Sequence, residues 1–283
     1  MSIKAKNWRI IDLINWGVTH FTTKGINNAR LEIEWLLCDL LTCNRVDLYL
    51  KFEKQIHANE LAHLRSMVKR RVSGEPFQYI IGKAPFYGRD FKVNSHVLIP
   101  RPETEILIDR LKKNGGVSTL LDVGTGSGCI AITCSLENLS DKIYATDISD
   151  NILDVAHKNM QTYEINNIHF FKHNFLKENF KNKFDVVISN PPYIGIHEIE
   201  GLQKEVRDYD PKIALTDGHD GLIFYYHFNK IIMNLLNPGG YLLLEIGGNK
   251  HKEYVEKIFS MGCLRTMFIK DLQGDFRAVE VSI

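Results

Sequence analysis

The sequence predicts a doubly wound α/β fold with a mostly parallel sheet, preceded by a small helical domain. Three observations carry that expectation. From about Val117, apolar β-branched runs alternate with helix-period segments, the pattern of parallel strands joined by crossover helices. A glycine loop, Asp122-Val123-Gly124-Thr125-Gly126-Ser127-Gly128, follows the first of those strands. Up to about residue 75, by contrast, apolar residues recur at near-helical spacing.

In order along the chain, Ile10, Ile11, Leu13, Ile14, Val18 and Phe21 mark a first helix. Leu31, Trp35, Leu36, Leu40 and Leu41 mark a second after Asn27-Asn28. Ala58 to Val72 form a third, with Leu61, Leu64 and Val68 on one face and Arg65, Lys69, Arg70 and Arg71 elsewhere. These four cations read either as a solvated basic edge or as a partner-docking surface. Residues 76–101 are punctuated by glycine and proline around strand-like runs at Phe77–Ile81 and Phe91–Val93, as in a β-hairpin linker. The expected division is therefore a helical bundle over 1–75, a linker over 76–101 and an α/β domain over 102–283. Within the last, a helix is expected over Ile106–Lys113 and strands over Thr119–Val123, Lys142–Thr146, Ile168–Phe171, Asp185–Ser189 and Tyr241–Ile246. Helices fall between them at Cys129–Leu136, at Asn151–Tyr163 with Ser149 or Asp150 as N-cap, and at Leu222–Leu236, stopped by Asn237-Pro238-Gly239-Gly240. Leu264–Ile269 and Arg277–Ile283 close the sheet as a hairpin.

Composition narrows the function. The chain has 283 residues and a formal net charge of +1, without the basic excess of a general nucleic-acid binder. No apolar run reaches the roughly 20 residues that span a bilayer. The N-terminus, Met1 to Trp8, is followed by an amphipathic stretch rather than a signal peptide's apolar region, which predicts a cytoplasmic protein. The 5 cysteines lie in largely apolar segments at spacings unlike zinc or redox motifs, and the 11 histidines are scattered. No metal site is expected.

The glycine loop departs from a nicotinamide fingerprint: its third glycine comes one residue early, and Asp122 stands before it. A nearby carboxylate favours a ligand with positive charge over a diphosphate. S-adenosylmethionine, with its sulfonium and ammonium groups, fits, and the residues expected around it are Gly124, Thr125, Gly126, Ser127 and Gly128. Asp147 ends the second strand, where a carboxylate either accepts both hydroxyls of an adenosine ribose or caps the next helix. Asn174 and Phe175 end the third strand, as adenine contacts or as a polar turn and a core aromatic.

Asn190-Pro191-Pro192-Tyr193 follows the fourth strand. Asn190 offers an amide oxygen and an amide NH2. Pro191 has no N–H, and Pro192 fixes the direction of its carbonyl. Tyr193 adds a flat face. The segment is either a rigid loop or a stiff pair of acceptors for a planar NH2, of a carboxamide or of a base.

With loop, acidic strand end and Asn-Pro-Pro-Tyr in this order, the chain resembles the class I S-adenosylmethionine-dependent methyltransferases. It is similar, more narrowly, to the peptide chain release factor glutamine methyltransferases. Gly74-Glu75-Pro76-Phe77-Gln78-Tyr79-Ile80-Ile81-Gly82, Phe86-Tyr87-Gly88, Ile99-Pro100-Arg101-Pro102-Glu103-Thr104-Glu105 and Ser189 to Ile194 carry the resemblance, with Ala29 to Glu34 in the helical part. In that family the Asn174 position is usually acidic, and Pro85 stands where an acidic residue is frequent. The resemblance implies a seven-stranded methyltransferase sheet and formation of N5-methylglutamine in the Gly-Gly-Gln loop of class I release factors. Asn190 and the Pro191 carbonyl would accept the two amide N–H bonds, Pro192 and Tyr193 would complete the substrate site, and Asn190 would also border the cofactor. It further implies a monomer with a protein partner, no direct nucleic acid and no membrane. A ribosomal-protein glutamine methyltransferase shares the chemistry. An adenine-N6 DNA methyltransferase shares Asn-Pro-Pro-Tyr but would need a basic DNA-facing surface and a target-recognition region. A non-catalytic adenosylmethionine-binding module would have no need of an intact Asn190 to Tyr193 run.

Overall fold

The computed structural model describes residues 8–262 and 264–283. Residues 1–7, which belong to the stretch read above as lacking a secretion signal, and Cys263 lie outside the described residues. Two units divide at Gly82 and Lys83.

The first unit holds α1 (Ile10–Thr23), α2 (Ala29–Leu41), α3 (Arg45–Leu50), α4 (Ala58–Val72) and α5 (Phe77–Ile81). Its core joins Ile14 and Phe21 of α1, Ile33 and Leu37 of α2, Leu48 of α3 and Leu64 and Val68 of α4. Helix α3 is too short for periodicity to reveal, but its cap is local. The Asp47 N–H donates to Asn44 Oδ1 at 3.0 Å and the Asn44 N–H donates to Asp47 Oδ2 at 3.2 Å. Fully buried Glu34 ties α2 to α3, accepting from Arg30 Nε at 2.9 Å, Arg45 Nη2 at 2.6 Å and Tyr49 OH at 2.7 Å.

Two expectations are corrected in this unit. Phe77–Ile81 is a helix, not a strand. Pro76 precedes it, Gly82 ends it in the left-handed conformation (φ 74°), and Arg70 donates to the terminal carbonyls of Tyr79 and Ile80. The basic side of α4 is not a uniformly solvated edge either. Arg71 is buried and donates to Glu32 at 2.5 and 3.0 Å, while Arg70 pairs with Glu75. Arg65 and Lys69 are exposed.

The second unit opens with the antiparallel hairpin β1 (Lys83–Phe86) and β2 (Arg89–Lys92). There follow α6 (Glu105–Asn114), β3 (Val117–Val123), α7 (Cys129–Leu136), β4 (Ser140–Asp147), α8 (Asp150–Thr162), β5 (Ile168–Lys172) and β6 (Phe184–Ser189). After the short helices α9 (Lys204–Tyr209) and α10 (Lys212–Leu215) come α11 (Ile223–Leu235), β7 (Leu236–Glu245), α12 (Asn249–Ser260), β8 (Arg265–Lys270) and β9 (Phe276–Ser282). The seven-stranded sheet has the order β5-β4-β3-β6-β7-β9-β8 and is parallel except for β9.

Alternation along the strands sorts the two faces. Leu120, Val186, Ile188 and Leu243 meet α6, α7 and α8, whereas Leu121, Val123, Val187 and Leu244 meet α11 and α12. Asn237 to Gly240 does not simply stop a helix but forms an irregularity inside β7. The register jumps between Phe184 and Val186, and Asn237 Nδ2 donates to Asp185 Oδ1 at 2.8 Å. Among the described residues no helix is long and apolar enough to cross a membrane.

Candidate active site

Strand order reverses at β3, which pairs with β4 on one side and β6 on the other. Such a switch point opens a crevice beyond the carboxyl ends of the strands. Here that crevice is a cleft of ≈ 400 Å³, bordered by the glycine loop, Asp147, Asn174, Phe175 and Asn190 to Pro192.

The loop after β3 is built by its glycines. Gly124, Gly126 and Gly128 all have positive φ, at 74°, 56° and 81°. The N–H groups of Gly124 and Thr125 both donate to the Thr146 carbonyl at 2.9 Å, fixing the loop to β4. Gly124, Thr125, Gly126 and Ser127 line the cleft. Gly128 stands behind it, where a Cβ would lie 3.2 Å from Ala156 Cβ, so this glycine lets α7 pack on α8.

Asp122 is also behind the loop. It is fully buried and accepts from Thr125 Oγ1 at 2.6 Å, so it braces the loop rather than facing the cleft. Burial pushes its carboxyl up to about 7, against the Thr125 hydrogen bond. Between roughly pH 4 and 7 the native state thus holds a proton that the unfolded chain has released, and stability falls as pH rises through that window. Asp122→Asn should therefore gain stability relative to the parent by on the order of a few kcal/mol between pH 5 and pH 8. Urea unfolding at the two pH values measures it, and a pH-independent difference would show that Asp122 ionises normally.

Asp147 Oδ2 accepts from the Gly126 N–H at 2.9 Å and Oδ1 from the Ile148 N–H at 2.8 Å. Helix α8 has Ser149 at its N-cap, without a side-chain capping bond. Asp147 is therefore fixed by the loop, and each oxygen keeps acceptor capacity towards the cleft. Burial raises its carboxyl pKa while the two amides oppose the rise. Asn174 lines the cleft, and Phe175 is a core aromatic, with Phe228 at 4.4 Å, that also borders it.

Asn190 is oriented from behind. Its Nδ2 donates to Thr104 Oγ1 at 3.1 Å, and Thr104 Oγ1 donates to Glu245 Oε2 at 2.5 Å. Among the described residues neither Asn190 Oδ1 nor the Pro191 carbonyl accepts a hydrogen bond. Pro191 and Pro192 line the cleft, while Tyr193 borders an adjoining recess of ≈ 240 Å³ that also touches Asn190, Arg101 and Glu245. The Tyr193 hydroxyl points at Glu245 Oε1, 3.5 Å away. Arg101 Nη2 donates to Asp210 Oδ2 at 2.5 Å, joining the segment before α6 to the chain beyond the Asn-Pro-Pro-Tyr turn.

The turn is held closely by Gly221, whose φ is 82° and where a Cβ would fall 2.2 Å from the Tyr193 carbonyl oxygen. Gly221→Ala should displace the turn, lowering kcat while cofactor affinity falls much less. Calorimetric titration beside steady-state kinetics separates the two, and equal losses would place the damage in the whole cleft.

Thr104 and Glu245 were not singled out as site residues by sequence. Thr104 lies in a segment noted only for its family resemblance. Glu245 left a signal: it ends the apolar strand Tyr241-Leu242-Leu243-Leu244 with a carboxylate, as Asp147 ends β4.

Two family models match the chain. Residues 12–82 match the family model described as PrmC N-terminal domain, and residues 101–206 match the methyltransferase small domain. A release factor glutamine methyltransferase of Geobacter sulfurreducens is 38% identical over 87% of this chain and 87% of its own. One of Bacillus anthracis is 35% identical over 97% of this chain and 99% of its own. Among solved structures, a methyltransferase from Pyrococcus furiosus shares the fold with a TM-score of 0.51 and 18% identity, covering 80% of this chain and 98% of that one.

Proposed function

Because this chain belongs to the release factor glutamine methyltransferase family, we propose that it methylates the side-chain amide nitrogen of the Gly-Gly-Gln glutamine in class I release factors, with S-adenosylmethionine as donor. One observation supports the chemistry above the rest. Among the described residues, Asn190 Oδ1 and the Pro191 carbonyl accept no hydrogen bond, and both residues line a cleft built on a glycine loop.

The donor set suits S-adenosylmethionine. Asp147 has acceptor capacity for a ribose diol, Gly124 and Gly126 would let backbone approach the ligand, and Asn174 and Phe175 line the same cleft and would read the adenine. When bound, the cofactor supplies an electrophilic methyl group. The chain's task is to make a poor nucleophile competent, since an amide nitrogen has its lone pair delocalised into the carbonyl. Asn190 Oδ1 and the Pro191 carbonyl accept the two N–H bonds, which aims the lone pair and accommodates positive charge growing on nitrogen. Tyr193 shields the acceptor amide from water. No side-chain base is required at attack, because the alkylated nitrogen is acidic enough to release its proton to solvent.

We assign docking of the protein substrate to the helical unit and the hairpin, and expect a cytoplasmic monomer without nucleic acid. The test offers labelled cofactor with release factor, ribosomal protein and duplex DNA in separate reactions. Label in the release factor supports the reading. Label in ribosomal protein alone moves the acceptor, and label in DNA alone replaces the amide by an adenine amine.

A further inference from the structure

We propose that Glu245, acting through Thr104, is a positioning residue that decides which end of the Asn190 carboxamide faces the acceptor. The proposal rests on the methyl-transfer reading above and adds a residue to it.

A carboxamide is ambiguous in its orientation. Its oxygen and nitrogen ends have nearly the same shape, and neighbours alone fix which points where. Only the oxygen end can accept an N–H bond from a substrate amide. Among the described residues the Asn190 side chain has one anchor, Thr104 Oγ1, at 3.1 Å. A threonine hydroxyl cannot fix the orientation by itself, because it both donates and accepts. Glu245 removes the freedom. As a carboxylate it only accepts, so the Thr104 hydroxyl must donate to it, at 2.5 Å. The lone pairs left on Thr104 then select the NH2 end of Asn190, and Oδ1 is turned outward.

The relay is shielded from solvent: Thr104 is 3% exposed and Glu245 2%. Tyr225 OH donates to the Glu245 backbone carbonyl at 2.6 Å and holds the end of β7 in place. Glu103 beside Thr104, Arg277 of β9, Arg101 and Tyr193 are the other charged or titratable groups facing this carboxyl. Burial pushes Glu245 up to about 7, helped by Glu103 and opposed by Thr104, Arg277 and Tyr193.

Protonation reverses the relay. A neutral Glu245 can donate to Thr104 Oγ1, which frees the Thr104 hydrogen to donate to Asn190 Oδ1. The carboxamide then flips and presents NH2 towards the acceptor, where two donors face each other. Loss of kcat is therefore expected as pH falls through about 7, with little change in cofactor affinity.

The experiment measures kcat against pH at saturating cofactor and release factor for the parent, Glu245→Gln, Thr104→Val and Thr104→Ser, with cofactor Kd by calorimetry. Methylation by the parent enzyme tests the underlying reading independently. The relay predicts an acid limb in the parent that flattens in Glu245→Gln, whose side chain cannot take up the proton. It predicts a kcat about tenfold or more lower in Thr104→Val, the order of one lost hydrogen bond, with cofactor Kd held. Thr104→Ser, which keeps the hydroxyl, should recover most of that loss. An acid limb that persists in Glu245→Gln, or an undiminished kcat in Thr104→Val, overturns the proposal. If Thr104→Val fails to bind cofactor, the isosteric Glu245→Gln profile decides alone.

Discussion

Asn190→Ala is expected to lower kcat by roughly 10²–10³, the order seen when a preorganised polar contact to a reacting group is removed. The nucleophile is intrinsically weak. A carboxamide nitrogen becomes reactive only when its lone pair is turned out of conjugation and towards the methyl. That requires both N–H bonds to be held by acceptors at fixed positions. Here the Pro191 carbonyl is fixed by the proline that follows it, and Asn190 Oδ1 by Thr104 behind it. Alanine deletes one acceptor and leaves Thr104 Oγ1 without its amide donor. Cofactor affinity should change far less, because Asp147 and the glycine loop are untouched. Asn190→Asp tests orientation from another side. It keeps an acceptor oxygen but cannot donate to Thr104, so it should recover only part of the loss. Single-turnover methyl transfer to a release factor measures both. Unchanged transfer in Asn190→Ala would remove Asn190 from the chemistry.

The second large effect is expected at Asp147. Asp147→Ala should weaken S-adenosylmethionine binding by about 10- to 100-fold, corresponding to roughly 1.5–3 kcal/mol for hydrogen bonds to a charged group. The carboxylate also fastens the glycine loop through the Gly126 N–H at 2.9 Å. Its loss thus removes a ligand contact and loosens the loop together. Isothermal titration with the cofactor reads the change directly. Because Ser149 holds the N-cap of α8, a capping role predicts the opposite pattern: lower unfolding stability with affinity intact. That pattern would reassign Asp147.

The sheet was legible because its signals are local. Period-2 and period-3.6 patterning separates β3, α7, β4 and α8, and the carboxylate ending β4 sits where a switch-point crevice needs it. What escaped depends on tertiary partners. Phe77–Ile81 has the composition of a strand, yet Arg70 binds its last carbonyls and Gly82 turns the chain out of a helix. Helices α9 and α10 are too short to carry a period. Asp122 adjoins the loop, which suggests a carboxylate near the ligand, whereas its side chain turns inward to Thr125. Thr104 and Glu245 are 141 residues apart, and only folding brings them onto Asn190.

The measurement closest to the central claim is fragmentation mass spectrometry of a class I release factor after incubation with the enzyme and S-adenosylmethionine. A single added methyl is expected on the glutamine of the Gly-Gly-Gln loop, on its side-chain amide, formed roughly 10²–10³-fold more slowly when Asn190 is replaced by alanine. A methyl group on any other residue, or the same product from Asn190→Ala at the parent's rate, would contradict it.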